Sequence, residues 1–198
     1  MSGPRPVLRG ERVFLRAGER DDIPTFVGWF NDGETTSFLL MRAPMSQAAE
    51  EGWFDRMLAA QGRDGYFFVI CLLGGGQPIG TIGLFELDEI NGSAGVGISI
   101  GEKSLWGKGF GTDALQALLD FGFGELRLER IWLDVYDYNV RGRRSYEKCG
   151  FVPEGTKRRG VYRRGEYSDV LLMSILRDEW AAQTRKRSWD YEDDRPAG

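Results

Sequence analysis

Three glycines at alternate positions, Gly107, Gly109 and Gly111, stand directly before an apolar helical pattern. The first N–H groups of a helix have no partner within the helix, and the helix dipole makes that end electropositive. Glycines remove the Cβ atoms that would keep an anion at a distance, and Lys108 adds a positive charge. The spacing therefore predicts an anion-binding loop or, alternatively, a tight turn that packs a helix closely on a strand.

The glycine spacing narrows the choice of anion. A P-loop requires Lys-Ser or Lys-Thr near its last glycine, whereas Gly111 is followed by Thr112 and Asp113. A dinucleotide fingerprint reads G-x-G-x-x-G and opens a βαβ unit, whereas here more than half of the chain precedes the loop. The pyrophosphate of coenzyme A is the third candidate.

A second pair of polar residues, Asn139 and Tyr146, lies in the stretch 139–150, whose pattern predicts a short helix. Seven steps of about 100° return to nearly the same direction, so an amide and a phenol are expected on one helix face. Asn139 also suits an N-cap and Gly150 suits the position after the helix end. Capping and packing would explain each side chain alone, but together with the glycine loop they favour a binding site.

The chain contains no histidine, which excludes Ser-His-Asp and Cys-His catalysis and most zinc sites. Its two cysteines, Cys71 and Cys149, have no metal-ligand spacing and are expected to be buried thiols. Acid–base chemistry must therefore come from Asp, Glu, Tyr, Lys or Cys, and no metal site is expected.

The length and composition of the chain limit the classes of protein to which it can belong. The 198 residues, 41% of them hydrophobic, favour one domain with a sizeable core. No apolar run is long enough to span a membrane and the N-terminus lacks a signal-peptide core, so a cytoplasmic protein is expected. The net charge of −4 disfavours nucleic-acid binding. The basic stretch 157–165 is expected to be a solvated hairpin, with a phosphate-binding strip as the alternative.

Hydrophobic periodicity predicts the elements that must position these residues. Strands are predicted at 12–18, 65–73, 78–87, 94–100, 130–137, 151–159 and 161–176, and helices at 19–31, 46–60, 110–123 and 139–150. This order predicts a mixed α/β sheet rather than a regular βαβ series. One domain is expected over 1–185, and 186–198 is expected to be a polar tail in which a short helix frays into disorder.

Two stretches, "WGKGFGT" (106–112) and "NVRGRRSYEKCGFVPEG" (139–155), together resemble the GNAT superfamily of N-acetyltransferases. The resemblance is to the branch of the ribosomal-protein N-terminal (Rim-type) acetyltransferases and their spermidine- and antibiotic-modifying relatives. The stretches 8–32 and 167–176 are similar to the same branch. The resemblance implies an α/β (α+β) fold with a mixed, mostly antiparallel seven-stranded sheet, flanked by helices and splayed in a V between its two central strands. It also implies an acetyl-CoA-dependent N-acetyltransferase.

The resemblance assigns a role to each matching position. Backbone amides of 107–112 are implied to hold the pyrophosphate, and the strand 98–100 to pair with the pantetheine amides. Asn139 is implied to hydrogen-bond the pantetheine and Tyr146 to lie near the sulfur. The implied coenzyme-binding residues are Ile98, Ser99, Ile100, Trp106, Gly107, Lys108, Gly109, Phe110, Gly111, Thr112, Asn139, Arg144 and Tyr146. Trp106 stands where arginine or glutamine is common in the family.

The implied reaction is direct attack of an amine on the acetyl thioester, with Tyr146 donating to the departing thiolate. With a phenol pKa near 10 and a thiol pKa near 8.5, complete proton transfer is uphill by roughly 2 kcal/mol. A glutamate is common in this branch at the position of Gly95, so the group that deprotonates the amine is open. Candidate carboxylates are Glu86, Asp88, Glu102 and Asp134, of which Glu86 and Asp134 are selected, and a neutral amine would need none.

The acceptor amine is not identified by these residues. It is expected to approach over the N-terminal helices and the segment 31–39, where Asp32 and Glu34 would favour a cationic amine. A protein N-terminus, a polyamine, an aminoglycoside and an amino acid all remain candidates.

Two other functions are weighed against the enzyme. A catalytically silent coenzyme A-binding GNAT module is supported by Gly95 and opposed by Asn139 and Tyr146. A nucleic-acid binder would use the basic stretch 157–165 and is opposed by the acidic balance of the chain. A homodimer that pairs through an edge of the strand meander is a further candidate.

Overall fold

The computed structural model describes residues 8–192, whose strands form one mixed sheet. The strands are β1 (Leu8–Arg9), β2 (Val13–Arg16), β3 (Tyr66–Leu72), β4 (Pro78–Asp88), β5 (Ser93–Ile100), β6 (Arg130–Tyr136), β7 (Val152–Arg163) and β8 (Glu166–Leu176). Their order across the sheet is β1-β2-β3-β4-β5-β6-β8-β7, and only the pair β5–β6 is parallel. The predicted mixed, mostly antiparallel sheet is confirmed. It has eight strands rather than seven, because the two residues of β1 pair with β2 upstream of the first predicted strand.

The helices begin and end at local signals in the sequence. They are α1 (Ile23–Phe30), α2 (Gly33–Thr36), α3 (Gln47–Ala60), α4 (Phe110–Asp120), α5 (Val140–Lys148) and α6 (Arg177–Ala181). The Oγ of Ser46 accepts a hydrogen bond from the backbone N–H of Ala49, 3.1 Å away, and caps α3. Gly150 follows the end of α5 and has a φ of +94°, in the left-handed region that favours glycine. The four predicted helices are confirmed, and the single turns α2 and α6 are additional.

Side chains alternate between two covered faces of the sheet. On the first face, which we call the α4 face, Val96 of β5 belongs to the same buried cluster as Leu115 of α4. On the second, the α1/α3 face, Val69 of β3 belongs to a cluster with Phe26 of α1 and Phe54 of α3. The sheet is therefore a middle layer with helices on both sides.

The parallel pair β5–β6 is joined over only three residues. Ser93, Ala94 and Gly95 pair with Arg130, Ile131 and Trp132, and the two strands then separate. Beyond this point β5 stays paired with β4 as far as Ile100, and β6 stays paired with β8 as far as Tyr136. The predicted V-shaped splay between the central strands is confirmed.

The last two strands form a hairpin with a different turn from the predicted one. Arg163 of β7 pairs with Glu166 of β8, so the turn is Arg164–Gly165, whose φ angles are +50° and +90°. The sequence pattern predicts residues 161–163 as part of the final strand, but in the structure they belong to β7. The reason is that the turn, with positive φ at both of its residues, comes after residue 163. Most of the basic stretch is exposed, as predicted for a solvated hairpin.

The C-terminal segment contacts the rest of the fold through Tyr191, beyond the predicted boundary at 185. A 3-10 turn spans Ser188–Glu192, and the backbone N–H of Ser188 donates to the buried carboxylate of Asp120 at 2.7 Å. Residues 186–192 therefore belong to the folded unit rather than to a disordered tail, and 193–198 of the predicted tail lie outside the described residues. Within the described part of the chain, the helices fall short of the length and apolar character that crossing a membrane requires.

Candidate active site

A cavity of about 1500 Å³ is lined by β5 and β6 where these strands separate. It has two halves. The glycine-loop half is lined by parts of 105–112 and 139–148, and the aromatic half by parts of 38–42, 53–67, 85–86 and 132–136. The opening between β5 and β6 thus joins the start of α4 to the surface beneath α3.

Two of the three glycines take backbone angles that other residues adopt only at a cost. Gly107 has φ of +72° and Gly109 has φ of +87°, whereas Gly111 lies in the first turn of α4. A Cβ on Gly111 would lie 3.5 Å from Cγ1 of Ile100, so the helix start packs closely on β5. Among residues 8–192, the backbone N–H groups of 107–112 find no acceptor, and they remain available to an anion.

Side chains from distant parts of the chain fix the loop. The guanidinium of Arg12 donates from Nη1 to the carbonyl oxygen of Lys108 at 2.6 Å and lies 3.8 Å from the ring centroid of Phe110. The indole Nε1 of Trp106 donates to the carbonyl oxygen of Ile100 at 2.6 Å. The carboxylate of Asp113 accepts from three consecutive N–H groups of residues 11–13 at 2.9–3.0 Å. These contacts tie the loop to β2 and β5.

Most of the predicted coenzyme-binding residues line one cavity. Those in its wall are Ile98, Ser99, Ile100, Trp106, Gly107, Gly109, Phe110, Gly111, Thr112, Asn139, Arg144 and Tyr146. Lys108 is the exception, because its exposed side chain lies outside the cavity wall and its carbonyl oxygen is bound by Arg12.

Tyr146 is only 9% exposed and lines the cavity from α5. Its ring packs against Phe151 with centroids 5.9 Å apart, and burial raises the pKa of the phenol to about 12. Cys149 lies one turn further along, and burial also raises the pKa of its thiol to about 12. The phenol therefore stays protonated at neutral pH, and Cys149 is a buried neutral thiol rather than a nucleophile. Cys71 is likewise free and buried, as predicted.

Asn139 both caps α5 and lines the cavity. Its Oδ1 accepts from the backbone N–H of Gly142 at 3.0 Å, while its Nδ2 finds no acceptor among the described residues. The hydroxyls of Thr112 and Ser145 lie 2.8 Å apart and link the first turn of α4 to α5. The two helices that carry the glycine loop and Tyr146 are therefore held in a fixed relation.

The four candidate carboxylates separate into two groups. Glu86 and Asp134 line the cavity, as predicted for the selected pair. Asp88 instead accepts hydrogen bonds from the N–H groups of Ile90 and Asn91 in a turn. Glu102 accepts from the backbone N–H and hydroxyl of Ser104, and neither Asp88 nor Glu102 lines the cavity. These two carboxylates stabilise turns outside the cavity wall.

Counter-ions distinguish the remaining carboxylates. Asp134 forms a salt bridge with Lys157 at 2.7 Å, whereas Glu86 has no cationic partner among the described residues.

Asp32, expected to attract a cationic amine together with Glu34, instead caps α2 and binds Lys103 at 2.7 Å. Glu34 lies 3.4 Å from the same ammonium group, so the two predicted acceptor-side acids share one cation, and both lie outside the cavity wall.

The aromatic half overlaps the predicted acceptor side at residues 38–39 and in the helix predicted at 46–60, but the sequence did not indicate which contacts close it. The segment 38–42 forms part of its wall and is held by Arg163, which donates to the carbonyl oxygens of Thr36, Leu39 and Met41. Tyr138 donates to the carbonyl oxygen of Ser37 at 3.0 Å. These partners are about a hundred or more positions apart in the sequence, and no local pattern connects them. Within residues 8–192, the structure contains no group of acidic and thiol side chains suited to a metal ion.

The profile of the acetyltransferase (GNAT) domain family matches residues 12–152. The uncharacterized N-acetyltransferase p20 of Bacillus licheniformis is 31% identical over 176 residues, which are 88% of this chain and 98% of that protein. The "Putative ribosomal N-acetyltransferase YdaF" of Bacillus subtilis is 36% identical over 112 residues, or 57% of this chain and 61% of that protein. Spermidine N-acetyltransferase from Vibrio cholerae, solved in complex with CoA and spermine, superposes with a TM-score of 0.79 at 29% identity, over 85% of this chain and 98% of that chain.

The splayed sheet and the likeness to these proteins over most of the chain define an acetyl-CoA-dependent N-acetyltransferase. The chain belongs to the GNAT acetyltransferase family. A catalytically silent coenzyme A-binding module is not favoured, since the relatives are named as N-acetyltransferases and the cavity keeps both Asn139 and Tyr146 in its wall.

Proposed function

We propose that this enzyme acetylates a primary amine by direct attack within the cavity between β5 and β6, and that it belongs to the Rim-type branch of its family. One observation carries the proposal: β5 and β6 separate directly beside the glycine loop, and Tyr146 faces the same cavity. The shared stretch with YdaF supports the branch. Cytoplasmic location and a homodimer remain proposals from the sequence.

The residues of the glycine-loop half fit coenzyme A. Free N–H groups at 107–112 and the positive end of α4 suit a pyrophosphate. The edge of β5 beyond Gly95 is unpaired on the side of β6, so the backbone groups of Ile98 and Ile100 that face this side suit the pantetheine amides. Nδ2 of Asn139 is free to donate, and Arg144 places a cation in the same wall. We assign these residues to coenzyme binding.

Acetyl transfer requires two bond changes and two proton transfers. Bound acetyl-CoA supplies the thioester, whose C–S bond breaks as a C–N bond forms to the amine. One proton leaves the nitrogen and one reaches the sulfur. The backbone N–H of Ile100, which points away from β4, is assigned to the carbonyl oxygen, where a preorganised donor stabilises developing charge. Tyr146 is assigned to the departing sulfur.

The raised pKa of Tyr146 limits how it acts. With a phenol pKa of about 12 and a thiol pKa near 8.5, complete proton transfer is uphill by about 5 kcal/mol, more than for an ordinary tyrosine. A hydrogen bond from the phenol to the sulfur, formed as negative charge develops there, is therefore the contribution that we expect. This role needs the hydroxyl to stay protonated, which its burial favours.

The amine must lose a proton before it attacks. An amine with a pKa of about 10.4 is only about 0.04% neutral at pH 7, which costs roughly 4.6 kcal/mol. Asp134 lies two residues beyond Trp132 on β6 and therefore faces the separated part of the strands, whereas Glu86 follows Phe85 on β4. We propose Asp134 or Glu86 as the proton acceptor, acting through water.

Substitution of Tyr146 tests the proposal. Tyr146→Phe should lower kcat by about a hundredfold, while the affinity for coenzyme A, measured by calorimetry, stays within twofold. Asp134→Asn and Glu86→Gln should separate the two carboxylates, since only loss of the proton acceptor should lower kcat, whereas the other variant should keep it. Tyr167→Phe, at an exposed phenol outside the cavity, is the matched control. Unchanged turnover in Tyr146→Phe would remove Tyr146 from the mechanism.

A further inference from the structure

Two pairs of aromatic side chains line the aromatic half of the cavity. Phe85 of β4 and Trp132 of β6 meet edge to face with centroids 5.4 Å apart. Trp53 of α3 and Phe67 of β3 meet in the same way at 5.1 Å. All four residues line the cavity, and Phe85 remains 40% exposed. The aromatic half thus presents uncovered π surface to an acceptor.

Next to the rings, the strand β5 has a glycine and therefore no side chain that fills the cavity. Gly97 lies two residues beyond Gly95 on the same face of β5, and a Cβ there would contact only Phe85, at 3.6 Å. The space above Gly97 is therefore open toward the separated part of β5 and β6. A flat group that packs on Phe85 and Trp132 would leave its short chain directed toward this opening.

The charges of the aromatic half oppose a polycation. Of its carboxylates, Asp64 is bound to Arg63 at 2.9 Å and Asp134 to Lys157 at 2.7 Å, so only Glu86 lacks a cationic partner among the described residues. The guanidinium groups of Arg42 and Arg56 also line this half without a carboxylate partner among residues 8–192. The two guanidinium groups would repel the additional ammonium groups of a polyamine, so these charges favour an acceptor with no cation beyond its one amine.

From these rings and charges we infer that the acceptor is an arylalkylamine, a primary amine on a short chain that ends in an aromatic ring. The inference rests on the proposed acetyl transfer and names its second substrate. The ring packs on Phe85 and Trp132, and the amine reaches the opening above Gly97. A polyamine would instead place additional ammonium groups near Arg42 and Arg56, where no free carboxylate except Glu86 is present among the described residues.

Three amines separate the contributions of ring and charge. The rate of thiol release from acetyl-CoA is measured with 2-phenylethylamine, hexylamine and spermidine, and binding of each amine to the coenzyme A-loaded enzyme is measured by calorimetry. Phenylethylamine should exceed both hexylamine and spermidine about tenfold or more in kcat/KM and in affinity. Equal or better use of spermidine, equal use of hexylamine, or binding of none of the three would each overturn the inference.

Variants connect the preference to these residues. Phe85→Leu and Trp132→Leu should reduce the preference for phenylethylamine over hexylamine about tenfold, whereas Tyr167→Leu, at an exposed ring outside the cavity, should leave it unchanged. Arg56→Glu should raise the use of spermidine, and Arg158→Glu makes the same change of charge outside the cavity. An effect of Arg158→Glu as large as that of Arg56→Glu would contradict the assignment.

The two proposals fail differently. If coenzyme A binds and phenylethylamine binds selectively, but no amine is acetylated, the proposed acetyl transfer is wrong and the acceptor site stands. If spermidine is acetylated efficiently and phenylethylamine is not, the acetyl transfer stands and the acceptor class is wrong.

Discussion

The ring of Phe85 occupies the space into which a side chain at Gly95 would project. A Cβ built on Gly95 would lie 2.3 Å from Cε2 of Phe85, far inside van der Waals contact. The two residues are direct partners across β4 and β5, and Trp132 pairs with Gly95 from β6. A carboxylate therefore cannot replace this glycine while Phe85 keeps its place, and β5 provides no proton acceptor at this position.

A double-mutant cycle tests this contact. Gly95→Ala should destabilise the fold by about 1–3 kcal/mol, because the added methyl group overpacks against the ring of Phe85. The same substitution in a Phe85→Ala background should cost much less, since the ring has been removed. Urea unfolding of the two single variants and the double variant gives the coupling free energy. Additive effects would show that the ring is not what excludes a side chain at position 95.

The elements could be predicted where their signals are local. Ser46, Asn139 and Gly150 act at helix ends through atoms a few residues away, and each does so as expected. The two-residue β1 could not be predicted, because its pairing with β2 depends on a turn whose N–H groups bind Asp113, about a hundred residues further on. The local sequence therefore predicted the type of each element well, but it did not predict the long-range contacts that complete the edge of the sheet.

The candidate site was predictable on one side only. Residues of the glycine-loop half lie in two compact motifs, and nearly all of them line the cavity. The acceptor side depends on contacts between distant residues, such as the salt bridge of Asp32 with Lys103 and that of Asp134 with Lys157. Asp32 and Asp134 look free in the sequence but are paired in the fold, whereas Glu86 has no cationic partner among the described residues.

The left-handed backbone at Gly109 should be required for coenzyme A binding. Gly109→Ala places a Cβ at φ of +87°, which costs roughly 1–2 kcal/mol and turns N–H groups away from the anion. Calorimetry should show coenzyme A binding weakened about tenfold or more. Gly28→Ala is the control, since Gly28 lies inside α1 with open space where the methyl group would stand, and the change should stabilise the helix by up to about 1 kcal/mol. Equal binding by the two variants would contradict a role for the loop geometry.

The raised pKa of Tyr146 predicts the alkaline side of the pH profile. Burial raises this pKa to about 12, so the hydroxyl remains protonated, and able to donate, until the pH approaches that value. Activity as a function of pH should therefore rise as the amine loses its proton, up to an amine pKa of about 10, without a fall caused by Tyr146 below about pH 10.5. The measurement is kcat/KM from about pH 7 to about pH 10.5, with circular dichroism to confirm folding. A falling limb below about pH 10 that disappears in Tyr146→Phe would show that the phenol titrates as an exposed tyrosine does.

The buried carboxylate of Asp120 should be a large contributor to the stability of the folded unit. Asp120 is 1% exposed and accepts from Nε1 of Trp180 at 2.9 Å, from Nη2 of Arg185 at 2.6 Å and from the backbone of Ser188 at 2.7 Å. Asp120→Ala leaves these donors without their acceptor and an arginine without its counter-ion, so the free energy of unfolding should fall by about 3–5 kcal/mol. Urea denaturation measures the loss.

An exposed ion pair provides the matched control for this variant. Asp55 binds Arg20 at the surface, where both side chains are more than half exposed, and Asp55→Ala should cost less than about 1 kcal/mol. Limited proteolysis adds a second readout, because loss of the Asp120 contacts should expose the segment 185–192 to cleavage while Asp55→Ala should not. If the two variants lost similar stability and the segment stayed protected, the C-terminal segment would be held by the packing of Trp180 and Trp189 rather than by Asp120.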